Sequence, residues 1–212
     1  MNNGTVLVVD GHPNEESLGR ALADAYAKGA EGAGARVERL ALRALSFDLV
    51  LRGGHEREQP LEPDLLRAKE AIERAAHVAW LFPCWWAGPP ALLKGFIDRL
   101  FLPGWAYKYE RGQALPKALL AGRSARQIVT MDSPGWWYTL AHHRAIHGSF
   151  ATGTLSFVGF SPVKTRTIYR VRELDQRALA SALAAVEGDG ARDGARDARR
   201  GLSLLRQSSH RG

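Results

Sequence analysis

An α/β fold with a mainly parallel, doubly wound sheet is what this 212-residue sequence predicts. Two observations lead there. Short β-branched runs alternate with stretches whose apolar residues recur at helical spacing. Hydrophobic residues make up 45% and charged residues 24%, ordinary values for one globular domain of this length.

The elements follow in order. "TVLVVD", Thr5 to Asp10, reads as a buried strand ending at a Gly-His-Pro turn. Leu18, Leu22, Ala25 and Tyr26 place a helix from Ser17 to about Ala33, and Val37 to Leu40 suggests a second strand. Residues 46–63 carry Gly53, Gly54, Pro60 and Pro63 and read as a long loop. Leu65, Ala68, Ile72 and Ala75 mark a helix, and "HVAWLF", His77 to Phe82, a third strand stopped by Pro83. Pro89 and Pro90 suit the first turn of a helix whose rows are Leu92, Phe96, Leu100 and Leu93, Ile97, Phe101. Ala125 to Met131 is the fourth strand and Leu155 to Phe160 the fifth. Leu179, Ala182, Leu183 and Val186 close the last helix. Residues 187–212, with a repeated Gly-Ala-Arg-Asp tetrapeptide, are too poor in apolar residues to bury anything. They are expected to be a disordered or loosely helical tail beyond a domain of residues 1–186, dispensable for chemistry and for stability.

Composition narrows the function. A single cysteine, Cys84, excludes an internal disulfide framework and fits a reducing cytoplasm. The N-terminal stretch does not read as a signal peptide, and the longest uncharged stretch, Ala75 to Leu93, is broken by Pro83, Gly88, Pro89 and Pro90, so neither a leader nor a membrane span is expected. The net charge is +7, but the Arg residues are scattered among Ala and Gly rather than striped, which argues against nucleic acid and leaves anionic small ligands.

In a doubly wound sheet, ligands bind at the carboxyl ends of the strands. "GHPNEESLGRAL" follows the first strand there. It holds no GxGxxG and no GxxxxGK[ST], but puts Ser17 and the amides of Leu18 and Gly19 at a helix start, where free N–H groups suit phosphate, with His12 as a further donor. The plainer alternative is that Ser17 only caps the helix. "PCWWAGPP" follows the third strand, and its Trp85–Trp86 pair offers stacking area to a flat aromatic cofactor or else closes the core. The fourth strand leads to Thr130, Asp132, Ser133 and Tyr138, then His142, His143 and His147. The histidine spacing has no Cys or carboxylate set beside it, so no metal is expected. Cys84 reads as structural.

"FPCWWAGPPALLKGFIDRLFLPGWAYKY" resembles the FP-x-W-x-x-x-PA-x-LKG segment of the NAD(P)H:quinone oxidoreductase family, and "GHPNEESLGRAL" resembles its HP-x-x-x-S loop. The resemblance runs from about residue 5 to residue 186. It implies a flavodoxin-like fold, a five-stranded parallel sheet with helices on both faces. It further implies a homodimer and a flavin, FAD or FMN with FAD favoured, that takes hydride from NAD(P)H and passes two electrons to a quinone or related acceptor. Carried over by position, His12, Ser17, Leu18 and Gly19 would hold flavin phosphates. Pro83, Cys84, Trp85 and Trp86 would line the ring, with Thr130, Met131, Asp132 and Ser133 at its other edge. Tyr107 and Tyr109 would line the acceptor pocket from the partner subunit, and Tyr138 with His147 would steady the reduced flavin.

The sequence also departs from that pattern. Gly19 stands where the family often has Asn, and Met131-Asp132-Ser133-Pro134 replaces a Thr-Gly-Gly turn. An Asp at that edge disfavours an anionic reduced flavin. Tyr138 and His147 lie further apart than the family spacing, which leaves His142 and His143 as reserves. A flavin-binding ancillary subunit with little turnover is the alternative reading of the same residues.

Overall fold

The computed structural model describes residues 5–208, with side chains as far as residue 198. Strands β1 (Thr5–Asp10), β2 (Arg36–Ala41), β3 (Ala75–Pro83), β6 (Ser124–Thr130) and β7 (Val163–Ile168) form one parallel sheet in the order β2-β1-β3-β6-β7. The chain steps outward from β1 to β2, then returns past β1 to β3. The switch point therefore falls between β1 and β3, and the loops after them diverge at the carboxyl edge. A small antiparallel pair, β4 (Tyr107–Lys108) and β5 (Lys117–Ala118), stands apart.

Alternation along the strands divides the core. Leu7 and Val9 of β1 with Val78, Trp80 and Phe82 of β3 face helices α2 (Pro63–Arg74) and α3 (Ala91–Leu100). Val6 and Val8 with Ala79 and Leu81 face α1 (Leu18–Gly32) and α5 (Gln176–Ser208). The loop expected at 46–63 is irregular but anchored. Arg99, fully buried on α3, pairs with Glu62 at 2.8 Å and donates to the carbonyls of Asp48 and Pro60.

Two expectations fail. The fifth strand is Val163–Ile168, not residues 155–160, which lie in and just after a π-helical segment, His147–Ser156. Leu155, Val158 and Phe160 are buried there, so an apolar run that looks like strand packs as helix and turn. The true strand is at the sheet edge, and its Lys164, Thr165 and Arg166 hide it from an apolar pattern.

Nor is the segment from 187 a loose tail that buries nothing, because α5 runs through it to Ser208 and packs on α1. Beyond residue 198 the tail's side chains lie outside the described residues. The tetrapeptide repeat advances about 400° per unit, so each residue type returns close to one stripe. The glycine stripe meets α1. A Cβ on Gly190 would lie 2.0 Å from the Tyr26 carbonyl oxygen, and one on Gly194 2.8 Å from Ala30. The aspartate stripe meets the amino end of the sheet. Asp193 accepts from Arg126 Nε at 2.6 Å, from Tyr26 Oη at 2.8 Å and from Lys164 at 3.3 Å, while Asp189 pairs with Arg126, Arg166 and Arg192. Tyr26 also meets His77 at 2.9 Å, and His77 meets Ser124 at 2.8 Å. Burial would raise the Asp193 carboxyl, but the Arg126 hydrogen bond and the charges of His77 and Arg126 hold it at about 2.

Candidate functional site

At the carboxyl edge the first loop folds back on β1. His12 N–H donates to Asp10 at 3.0 Å, and Arg43 pairs with the other Asp10 oxygen. The His12 ring accepts from the Asn14 amide through Nδ1 at 3.0 Å. Nδ1 also lies 3.2 Å from the Asn14 carbonyl oxygen, so the ring's contacts within the loop fall on that nitrogen. Ser17 caps α1, its Oγ accepting from Arg20 N at 3.3 Å. The cap satisfies one amide of the first turn. The amides of Leu18 and Gly19 have no acceptor within the helix, and the serine hydroxyl keeps its hydrogen. A Cβ on Gly19 would stand 3.1 Å from His12 Cβ, so glycine here lets the loop close over the helix start.

The segment after β3 is locked to β6, with Pro83 opposite Thr130 and Cys84 N donating to Thr130 O at 2.8 Å. Trp85 and Gly88 exchange both backbone hydrogen bonds at 2.9 Å around Trp86 and Ala87, whose φ angles are 52° and 58°. Left-handed backbone costs a non-glycine residue about 1–2 kcal/mol. The turn thus holds the Trp86 indole fully exposed at its tip despite local strain. Trp85 is half-exposed and packs edge-on to His12, 5.7 Å between ring centres. Burial pushes the Cys84 thiol up, which suits a wall rather than a nucleophile.

Cys84, Trp85, Trp86, Met131, Ser133 and Tyr138 line a cleft of about 540 Å³. Asp132, His142 and Arg172 complete its rim. Ser17 and Leu18 line a second, more apolar groove of about 640 Å³ floored by Val171, Leu174, Leu179 and Leu183. Val171 of the groove and Arg172 of the cleft rim are consecutive in the chain, and Trp85 of the cleft packs on His12 in the loop that leads to Ser17.

Tyr138 and His147 are neighbours, 5.5 Å between ring centres, despite their long spacing in sequence. The Tyr138 phenol is buried and accepts from Ile146 N at 2.8 Å, and burial raises it further above its ordinary value. His147 lies behind the tyrosine, with Nε2 2.8 Å from Thr167 Oγ1 and Nδ1 without a partner among the described residues. Burial, then the Arg144 charge, pushes its imidazole below the usual histidine range. His142 stacks on Tyr138 at 6.0 Å and reaches the cleft itself, whereas His143 is the left-handed cap of α4 (Gly135–His142). The i, i+4 spacing of Tyr138 and His142 is the sequence signal for that contact. Arg172 had no such signal, because only the β6–β7 register brings it here. Tyr107 and Tyr109 stand apart on the β4 hairpin, edge to face at 5.7 Å, with Tyr109 exposed.

A family profile described as "Flavodoxin-like fold" matches residues 4–188. An uncharacterized NAD(P)H oxidoreductase of Haemophilus influenzae is 27% identical over 179 residues, covering 81% of this chain and 87% of that protein. Rattus norvegicus NAD(P)H dehydrogenase [quinone] 1 is 28% identical over 122 residues, 54% of this chain and 43% of that one, so the matched stretch spans less than half of the rat protein. Among solved structures, an NAD(P)H:quinone oxidoreductase from Methanothermobacter marburgensis superposes with a TM-score of 0.72 at 24% identity, over 88% of this chain and 97% of that one, a likeness of fold.

Proposed function

This chain belongs to the flavodoxin-like fold family, and we propose that it works as a flavin-dependent NAD(P)H:acceptor oxidoreductase, reducing quinones or related small molecules by two electrons. One observation carries the reading. A helix start with unsatisfied amides and an indole-walled cleft lie side by side at the carboxyl edge of β1, β3 and β6, joined by the His12–Trp85 contact. The donor set suits a flavin, with anion donors at one end and flat apolar walls at the other.

His12, Ser17, Leu18 and Gly19 would hold the phosphates. The backbone from Pro83 to Trp86 and from Thr130 to Ser133 would border the ring; Met131 contributes main chain there, since its own side chain is in the core. The groove beside Ser17, lined by Leu174, Leu179 and Leu183 with Glu15, Glu16 and Asp24 on its polar side, has room for a nucleoside half, which supports the reading of FAD. When bound, the flavin supplies a centre that takes hydride from NAD(P)H and returns two electrons to the acceptor. The overall reaction, NAD(P)H plus a proton plus quinone giving NAD(P)⁺ plus quinol, draws its extra proton from solvent. Tyr138 has the phenol donor at the cleft wall. His147 behind it, with His142 as the reserve, would steady the phenol as negative charge develops.

Trp136, Trp137 and Leu140 on α4 are exposed, as are Tyr109 and Leu115. Apolar surface of this kind supports a homodimer whose partner brings Tyr107 and Tyr109 to the site. The lone free thiol, Cys84, suits the reducing cytoplasm. No helix among the described residues is long and apolar enough to cross a membrane. The test is NAD(P)H oxidation by purified protein with added FAD and a soluble naphthoquinone. Turnover that requires both flavin and quinone is expected; flavin bound without turnover would contradict the enzymatic role.

A further inference from the structure

Asp132 occupies a position where a negative charge opposes the chemistry just proposed, and the structure shows what answers it. The loop after β7 is laced onto the loop after β6. Met131 N donates to Ile168 O at 2.9 Å, and Val171 N donates to Met131 O at 3.3 Å. The next residue continues the lacing through a side chain. Arg172 N donates to Asp132 Oδ1 at 3.1 Å, and the Arg172 guanidinium forms an ion pair with Asp132, its Nε 2.9 Å from Oδ2. Both carboxylate oxygens are thereby held by one residue, and both residues sit on the rim of the cleft. Arg170, two positions earlier, is committed to Glu173, so it is Arg172 that serves Asp132.

We propose that Arg172 is a positioning residue that neutralises Asp132 and thereby sets the reduction potential of the bound flavin. The inference rests on the flavin reading above. The physical reason is Coulombic. Reduction would add negative charge to a ring bordered by residues 130–133, and a bare carboxylate on that border would disfavour it. A guanidinium tied to that carboxylate would remove most of the penalty. In water this pair would be screened to near nothing, since the Arg172 side chain is 86% exposed here. A flavin filling the cleft displaces that water, so the effect belongs to the loaded protein rather than to its folding stability.

The experiment compares Arg172→Gln, Asp132→Asn, the double variant and Arg172→Lys. The midpoint potential of bound flavin is read against a reference dye, and flavin dissociation constants are read in both oxidation states. Arg172→Gln should weaken binding of reduced flavin relative to oxidised by up to about tenfold, a potential lower by about 30 mV for a two-electron couple. Asp132→Asn should shift it upward, the double variant should return near the parent, and Arg172→Lys should recover part of the loss. The shifts should shrink as salt rises. Unchanged potentials in both single variants would overturn the proposal. So would a loss of affinity equal in the two oxidation states, the mark of a purely structural contact. If the parent binds no flavin, the flavin reading itself fails, an outcome distinct from flavin bound at an unmoved potential.

Discussion

The two ends of the sheet solve opposite problems. At the amino end, charge is buried and answered. Asp189 and Asp193 on α5 meet Arg126, Lys164 and Arg166, and backbones touch where Gly190 and Gly194 cross α1. At the carboxyl end, apolar surface is left uncovered. Trp86 is held out on a left-handed turn, and the first amides of α1 face outward. A region built for stability satisfies its polar groups with its own chain. A region built for binding leaves them for a ligand and tolerates strain to do so.

The largest effect that would break this contrast lies at the amino end. Asp193→Ala leaves the Arg126 guanidinium buried without its main partner, and should cost about 3–5 kcal/mol. At this chain length that lowers the melting temperature by roughly 10 °C, readable by calorimetry. Truncation after Val186 should destabilise the protein comparably, contrary to the sequence-based expectation of a dispensable tail. Unchanged melting in both would mean that α5 beyond Val186 contributes nothing.

At the carboxyl end, Ser17→Asp separates capping from ligand binding. Aspartate caps a helix as well as serine does, but its charge repels phosphate. Flavin affinity should fall by about a hundredfold while the flavin-free protein melts where the parent does. Fluorescence titration checks the first half, and equal affinity would remove Ser17 from the phosphate site.

An acid limb of intermediate size should come from His77. Burial pushes its imidazole down to about 4, although the Asp193 charge pulls the other way. Between about pH 6.5 and 4 the unfolded chain binds a proton that the folded chain refuses. Stability is therefore full above that window and falls as pH drops through it. Urea midpoints of parent and His77→Gln across pH 4–7 should converge toward the acid end, and parallel curves would contradict the burial argument.

The smallest effect sharpens the comparison from the strained side. Ala87→Gly relieves one left-handed residue in the turn that carries Trp86, and should stabilise the protein by about 1 kcal/mol. It should also loosen the indole, so flavin affinity should drop modestly even as the melting temperature rises. A fall in both would show that the turn is not strained.

Much of the carboxyl edge was legible in the sequence, because its signals are local. A serine at a helix start, prolines around paired tryptophans, and a strand ending before each can be read from neighbours alone. The amino edge was not. Residues 187–198 bury themselves with glycines and Asp–Arg pairs, so a search for apolar residues passes over them. The strand Val163–Ile168 was missed for a related reason, since its exposed edge carries Lys and Arg that are bonded to α5. Within the site, Arg172 could not be read from the sequence because strand register, rather than sequence proximity, brings it to the cleft, whereas the i, i+4 spacing of His142 from Tyr138 was legible.

The central claim is that the groove at Ser17 and the indole-walled cleft together hold one flavin. Its most direct measurement is the absorbance spectrum of the purified protein with the mass of the molecule released on denaturation. A flavin spectrum at one equivalent per chain, with the mass of FAD, is the predicted result. A colourless protein that also fails to bind added FAD or FMN would contradict it.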